Sequence, residues 1–186
     1  MKARGPPLPW GVRACISRSH MRILIVRHGI AETLEPGPKT KEDGARELTK
    51  EGRNKLRTEA KGLKKIIPSI DLIASSPLVR ASETADILAD KFGGVRVVQI
   101  AALSPRKPAA ALIDWLKAHP PDSTVALVGH EPHLSTFLCW MLTGLQESFI
   151  ELKKGGAALI ETTNPVSAGR AKLLWLAKPS QLRKLA

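Results

Sequence analysis

"MRILIVRHGIAE", Met21 to Glu32, is a buried-looking strand that stops on chemistry. Ile23, Leu24, Ile25 and Val26 form a continuous apolar run, the pattern of a strand covered on both faces. It ends abruptly at Arg27, His28 and Gly29. In open α/β sheets ligands bind beyond the carboxyl ends of the strands, so a cationic and an ionisable side chain at that point mark a candidate site.

Working outward, apolar runs of strand length alternate with amphipathic segments of helical length. Strands are expected over 22–26, 72–75, 95–100, 124–128, 157–162 and 171–176. Helices are expected over 49–66, 78–92, 108–119 and 133–143. In the first of these helices Leu56, Leu63, Ile66 and Ile67 recur at helical spacing while Lys and Arg occupy the other face. Thr49 is a natural N-cap, and Gly93-Gly94 and Gly144 are natural stops. Alternating elements predict an α/β fold, a three-layer sandwich whose central, mostly parallel sheet is flanked by helices. Residues 35–44, "EPGPKTKEDG", read as an exposed loop.

The chain has 186 residues, the length of one ordinary domain, and no apolar run long enough to span a bilayer. Residues 1–20 carry no acidic group, three prolines and no periodicity. They read as a basic leader, disordered or a mis-assigned start, ahead of a single domain over 21–186. Cys15 and Cys139 stand in no CxxC pattern, which predicts no zinc site and a reducing, cytoplasmic setting. A net charge of +12 favours anionic partners, phosphate among them. Tyrosine is absent and aromatics make up 4%, which argues against base-stacking and makes nucleic acid an unfavoured partner.

Three strand ends carry the same chemistry. "ILIVRHG" delivers Arg27 and His28, "LIASSPLVRA" places Arg80 in the first turn of a helix, and "TVALVGHE" delivers His130. A lone Arg-His pair at a strand end is ordinary surface, and Ser75-Ser76-Pro77 alone is an ordinary helix start. Together they predict one pocket of two arginines and two histidines, suited to a tetrahedral oxyanion. Gly29 is expected to let a ligand approach the backbone, and Arg46 to reach the phosphate from the loop. His130-Glu131-Pro132-His133 lacks the spacing of a helical two-histidine metal motif, so no metal is expected.

These motifs resemble the histidine phosphatase superfamily, also called phosphoglycerate-mutase-like. The resemblance rests on Arg27-His28-Gly29, "LTKEG" at Leu48–Gly52, "SSPLVRASETA" at Ser75–Ala85, "LVGHEP" at Leu127–Pro132 and the C-terminal "LLWLAKPSQLRKL". The short chain between Arg80 and His130 is similar to the small SixA-type phosphohistidine phosphatases. The resemblance implies a metal-independent, cofactor-free hydrolase, a cytoplasmic enzyme of signal transduction. His28 would be its nucleophile, and Arg27, Arg80 and His130 would hold the phosphoryl oxygens. Many members of the family place a Glu after the third strand; here that stretch reads "IAALSPRKP" without a carboxylate. Glu131 is the expected general acid, with Glu32 as an alternative. A weak acid would favour a phosphoramidate over an alkyl ester, because imidazole leaves easily. The implied partner is a phosphohistidine protein. The alternatives are a small phosphorylated metabolite, or a binding module that kept the pocket without catalysis.

Overall fold

A computed structural model of the chain describes residues 20–33 and 43–186. Apart from His20, the expected leader lies outside the described residues, as do residues 35–42 of the expected loop. The described part contains strands β1 (His20–Arg27), β2 (Leu72–Ser75), β3 (Val97–Gln99), β4 (Thr124–Gly129), β5 (Ala157–Thr163) and β6 (Ala171–Ala177). The helices are α1 (Lys50–Ile66), α2 (Val79–Lys91), α3 (Ala110–Lys117), α4 (His133–Thr143) and α5 (Pro179–Lys184). Short 3₁₀ turns stand at Asp43–Ala45 and Ala101–Leu103.

The strands form one six-stranded sheet in the order β3-β2-β4-β1-β5-β6. β3, β2, β4 and β1 pair in parallel, while β5 runs antiparallel to both β1 and β6. The expected mostly parallel sheet is therefore present, with β5 as the one strand that runs against the rest. Strand alternation splits the core into two layers. Ile23 and Ile25 of β1 pack with Leu112 and Leu116 of α3 and Leu134, Phe137 and Leu138 of α4. Leu24 and Val26 face the other way, against Ala60 and Leu63 of α1, Ala81, Ala85 and Leu88 of α2, and Leu182 of α5. These are the three layers that the alternation of elements predicts.

Most expected elements recur within a residue or two. Thr49 caps α1 by accepting the Gly52 N–H at 2.8 Å, and Gly144 ends α4 in the left-handed region at φ 83°. Three expectations need correction. The strand over 95–100 is only Val97–Gln99, an edge strand whose sole ladder partner is β2. Asp43 and Gly44, expected in an exposed loop, are exposed but form a 3₁₀ turn. Helix α5 was not expected. It is one and a half turns long, too short for hydrophobic periodicity to show, and Pro179 at its first position is the only local signal.

Candidate active site

β1 and β4 are adjacent and parallel, so their carboxyl ends emerge side by side. Arg27 ends β1 opposite Gly129 of β4, and the His28 N–H donates to the Gly129 carbonyl at 3.0 Å. His28 and His130 follow directly, with ring centroids 5.0 Å apart and planes tilted by 52°. β2, on the far side of β4, leads through Ser75 and Ser76 into α2, whose second residue is Arg80. Neighbouring strands thus bring together residues far apart in sequence. Arg27, His28, Arg80, His130, Glu131 and Arg46 all line one cleft of about 690 Å³.

Within it, the His28 ring is oriented by its own backbone. Nδ1 lies 2.7 Å from the Gly29 carbonyl oxygen, which can only accept, so Nδ1 carries the proton and Nε2 keeps its lone pair. Burial pushes the His28 pKa down to about 4; the Gly29 carbonyl opposes the shift, and the charges of Arg80, Arg27 and Lys154 add to it. The ring is therefore neutral near pH 7. His130 is pushed down to about 3, by burial first and then by His28 and Arg80, with Asp43 acting the other way. Its Nε2 lies 2.9 Å from Ser76 Oγ.

The cations are held by neighbours. Arg27 donates from Nη1 to the Leu152 carbonyl at 2.7 Å. Arg80 donates to the Asp43 carbonyl at 2.7 Å and to Asp43 Oδ2 at 3.1 Å. Arg46 stands at the cleft with Nε and Nη2 donating to Asp43 Oδ1 and Nη1 to the Glu32 carbonyl. Asp43 thereby bridges two arginines. Burial would raise its carboxyl pKa, but the hydrogen bonds and charges of Arg46 and Arg80 outweigh it and lower the value. Glu131 is half-buried. Desolvation lifts its pKa above the usual carboxylate range, against contacts with Ser135 and the charge of Arg27. Arg27 Nε, Arg80 Nε, His130 Nδ1 and Glu131 Oε1 are all buried without a hydrogen-bond partner among the described residues. Leaving such an atom unpaired costs about 1–3 kcal/mol unless water or a ligand engages it.

A model of the histidine phosphatase superfamily (branch 1) matches residues 23–107. An uncharacterized protein of Picosynechococcus sp. is 33% identical over 138 residues, 73% of this chain and 82% of that protein. The chain belongs to the histidine phosphatase superfamily. Its fold is similar to that of the protein histidine phosphatase SixA complexed with tungstate, with a TM-score of 0.74 and 23% identity over 87% of this chain and 99% of that one. It is also similar to a phosphoserine phosphatase of Entamoeba histolytica in complex with phosphoserine, with a TM-score of 0.63 and 18% identity over 87% and 99% of the two chains.

For this histidine phosphatase chain, one expected role changes. Gly29 does not open the backbone to a ligand. A Cβ there would meet Leu48 Cδ2 at 3.2 Å and Leu56 at 3.6 Å, and the Gly29 N–H already donates to Thr84 Oγ1 at 3.1 Å. Glu32 is exposed and is absent from the residues lining the cleft. Asp43, Leu152 and Lys154 escape the sequence reading as site residues, and Ser76 and Thr84 enter it only within the motif "SSPLVRASETA". The Asp43 and Arg46 spacing of three is the one local signal among them. The motifs "LTKEG" and "SETA" prove to be joined: Glu83 accepts from the Leu48 N–H at 2.6 Å and from Arg53 at 2.5 Å. A Cβ on Gly52 would sit 2.2 Å from the Ile30 carbonyl oxygen, which explains the glycine that ends "LTKEG".

Proposed function

We propose that the protein is a phosphatase that hydrolyses phosphohistidine on a partner protein through a phosphohistidine intermediate on His28. The observation that carries the reading is the His28 ring, neutral and with Nδ1–H tied to the Gly29 carbonyl. Its Nε2 lone pair attacks phosphorus while the bond from phosphorus to the leaving nitrogen breaks. Arg27, Arg80 and His130 hold the phosphoryl oxygens and offset the charge of the transition state. Glu131, its pKa raised by burial, gives its proton to the leaving atom. In the second step water attacks phosphorus, Glu131 accepts the water's proton, and the Nε2–phosphorus bond breaks to release phosphate and neutral His28. The side chains themselves supply the positive charge, so the reading is metal-independent, and a phosphoprotein partner places the enzyme in signal transduction in the cytoplasm. Among the described residues no helix is long and apolar enough to cross a membrane.

A second reading, a phosphatase for a small phosphorylated metabolite, is favoured by the cleft. Its volume of about 690 Å³ falls in the range of small-molecule sites, roughly 300–1,000 Å³. Turnover of the full chain on a histidine-phosphorylated protein, on sugar phosphates and on an aryl phosphate separates the two. Acid-labile phosphate trapped on the wild type and absent from His28→Ala is the expected result. Turnover of all three classes by His28→Ala at wild-type rates would overturn the nucleophile assignment.

A further inference from the structure

One wall of the cleft takes no part in the chemistry above. It is built by Arg106 and Lys107, from the loop before α3, and by His133, the first residue of α4. Arg106 has φ 66°, the only positive value outside glycine among the described residues. That conformation is strained for a residue with a Cβ, and such strain clusters at binding and catalytic sites. No ion pair among the described residues includes Arg106 or Lys107. His133 is 8% exposed, yet neither ring nitrogen has a hydrogen-bond partner among the described residues. Burial lowers its pKa, and a weak polar contact with the Lys107 backbone acts the other way.

Two cations that pair with no carboxylate among the described residues, and a buried histidine, share a cleft with the phosphoryl cradle. A single phosphoryl group fills only a small part of about 690 Å³. We infer that Arg106, Lys107 and His133 form a second anion subsite, which selects substrates whose leaving group carries another anionic group, a carboxylate or a phosphate. The inference rests on the phosphatase reading for the cradle. In that setting the second anion is either part of a compact metabolite or an acidic side chain beside the phosphorylated residue.

Phosphonates test it without turnover. Calorimetry with the full chain should show 3- or 4-carboxyphenylphosphonate binding about tenfold tighter than phenylphosphonate, which is about 1.4 kcal/mol. Arg106→Gln/Lys107→Gln, two exposed positions, should cut that ratio to threefold or less. Lys117→Gln/Lys172→Gln, which removes the same charge elsewhere, should keep it. His133→Asn should keep more of the preference than His133→Leu. Equal binding of the plain and carboxylated phosphonates by the wild type overturns the subsite. So does a ratio that survives in Arg106→Gln/Lys107→Gln. Failure of the phosphatase reading is distinct, because it appears as no phosphoenzyme and no turnover while the phosphonates still bind. Phosphohistidine peptides flanked by Glu or by Gln then separate the sources: a Glu preference assigns the anion to a protein, and its absence beside a phosphonate preference assigns it to a small molecule.

Discussion

The depressed pKa of His28 makes a quantitative claim about stability and titration. An unperturbed histidine titrates near 6.5, and His28 is pushed down to about 4. The folded state therefore resists a proton that the unfolded chain accepts. Stability owed to this group is fully present above pH 6.5 and is lost as pH falls toward 4. Linkage puts the loss at pH 4.5 at roughly 2–3 kcal/mol for this single group. His28 is 6% exposed, so solvent screening takes little from that figure. Replacement by Gln, neutral at every pH and of similar size, should remove the proton-linked part. Urea unfolding of the wild type and His28→Gln at pH 7 and pH 4.5 measures it. The wild type should lose roughly 2–3 kcal/mol more than the variant between the two conditions. His130 adds a loss of its own, but part of its shift comes from His28, so the two effects are not additive. Nitrogen NMR of the wild type gives the independent reading: Nδ1 protonated at pH 6, with the ring titrating near 4. A ring that titrates between 6 and 7, or equal acid sensitivity in the two proteins, would refute the reasoning.

Arg80→Ala should lower kcat about 10²–10³-fold, the loss expected for one donor aimed at transition-state charge, and Arg80→Lys should recover only part of it. Full recovery by Lys, measured on an aryl phosphate, would show that Arg80 acts as a distant charge and not through its forked donors. Glu131→Gln should slow an alkyl phosphate far more than an aryl phosphate or phosphohistidine, because help from a general acid, about 10²–10⁴-fold, grows with the basicity of the leaving atom. A uniform slowing of all three substrates would remove Glu131 from the acid role. Gly52→Ala should destabilise the fold by about 1–3 kcal/mol or more in chemical denaturation, since its Cβ would fall 2.2 Å from the Ile30 carbonyl oxygen. An unchanged midpoint would mean that the turn after β1 yields freely.

The fold and the cradle were legible for the same reason. Hydrophobic period separates strands from helices, and a strand covered on both faces has no local use for Arg27, His28 or His130 at its end. The groups that orient the cradle were not legible, because their partners lie far away in the chain. Arg27 is held by the Leu152 carbonyl and Arg80 by Asp43. Gly29 is held by Thr84, and Leu48 by Glu83. Each contact depends on strand order, and no spacing within one segment encodes it. Gly29 illustrates the cost of local reasoning. A glycine beside a ligand site invites the idea of ligand approach, but its missing Cβ makes room for Leu48 and Leu56.

The same contacts explain why "LTKEG" and "SSPLVRASETA" accompany the Arg27-His28-Gly29 strand end although neither supplies a nucleophile. Leu48 packs against the face of Gly29 where a side chain would be. The Thr49 N–H donates to the Ile30 carbonyl at 2.9 Å, so the start of α1 is fixed to the segment just beyond His28. Glu83 fastens Leu48 to α2, and Thr84, one residue on, fastens Gly29 to the same helix. That helix carries Arg80, whose own carbonyl accepts from Thr84 Oγ1 at 2.7 Å. A displacement of the His28 loop would therefore have to move α1 and α2 with it. In-line phosphoryl transfer is sensitive to misplacement of about an ångström, and these ties couple His28 to Arg80. The two motifs are positioning devices, and their residues mark where the strand end is tied to α1 and α2.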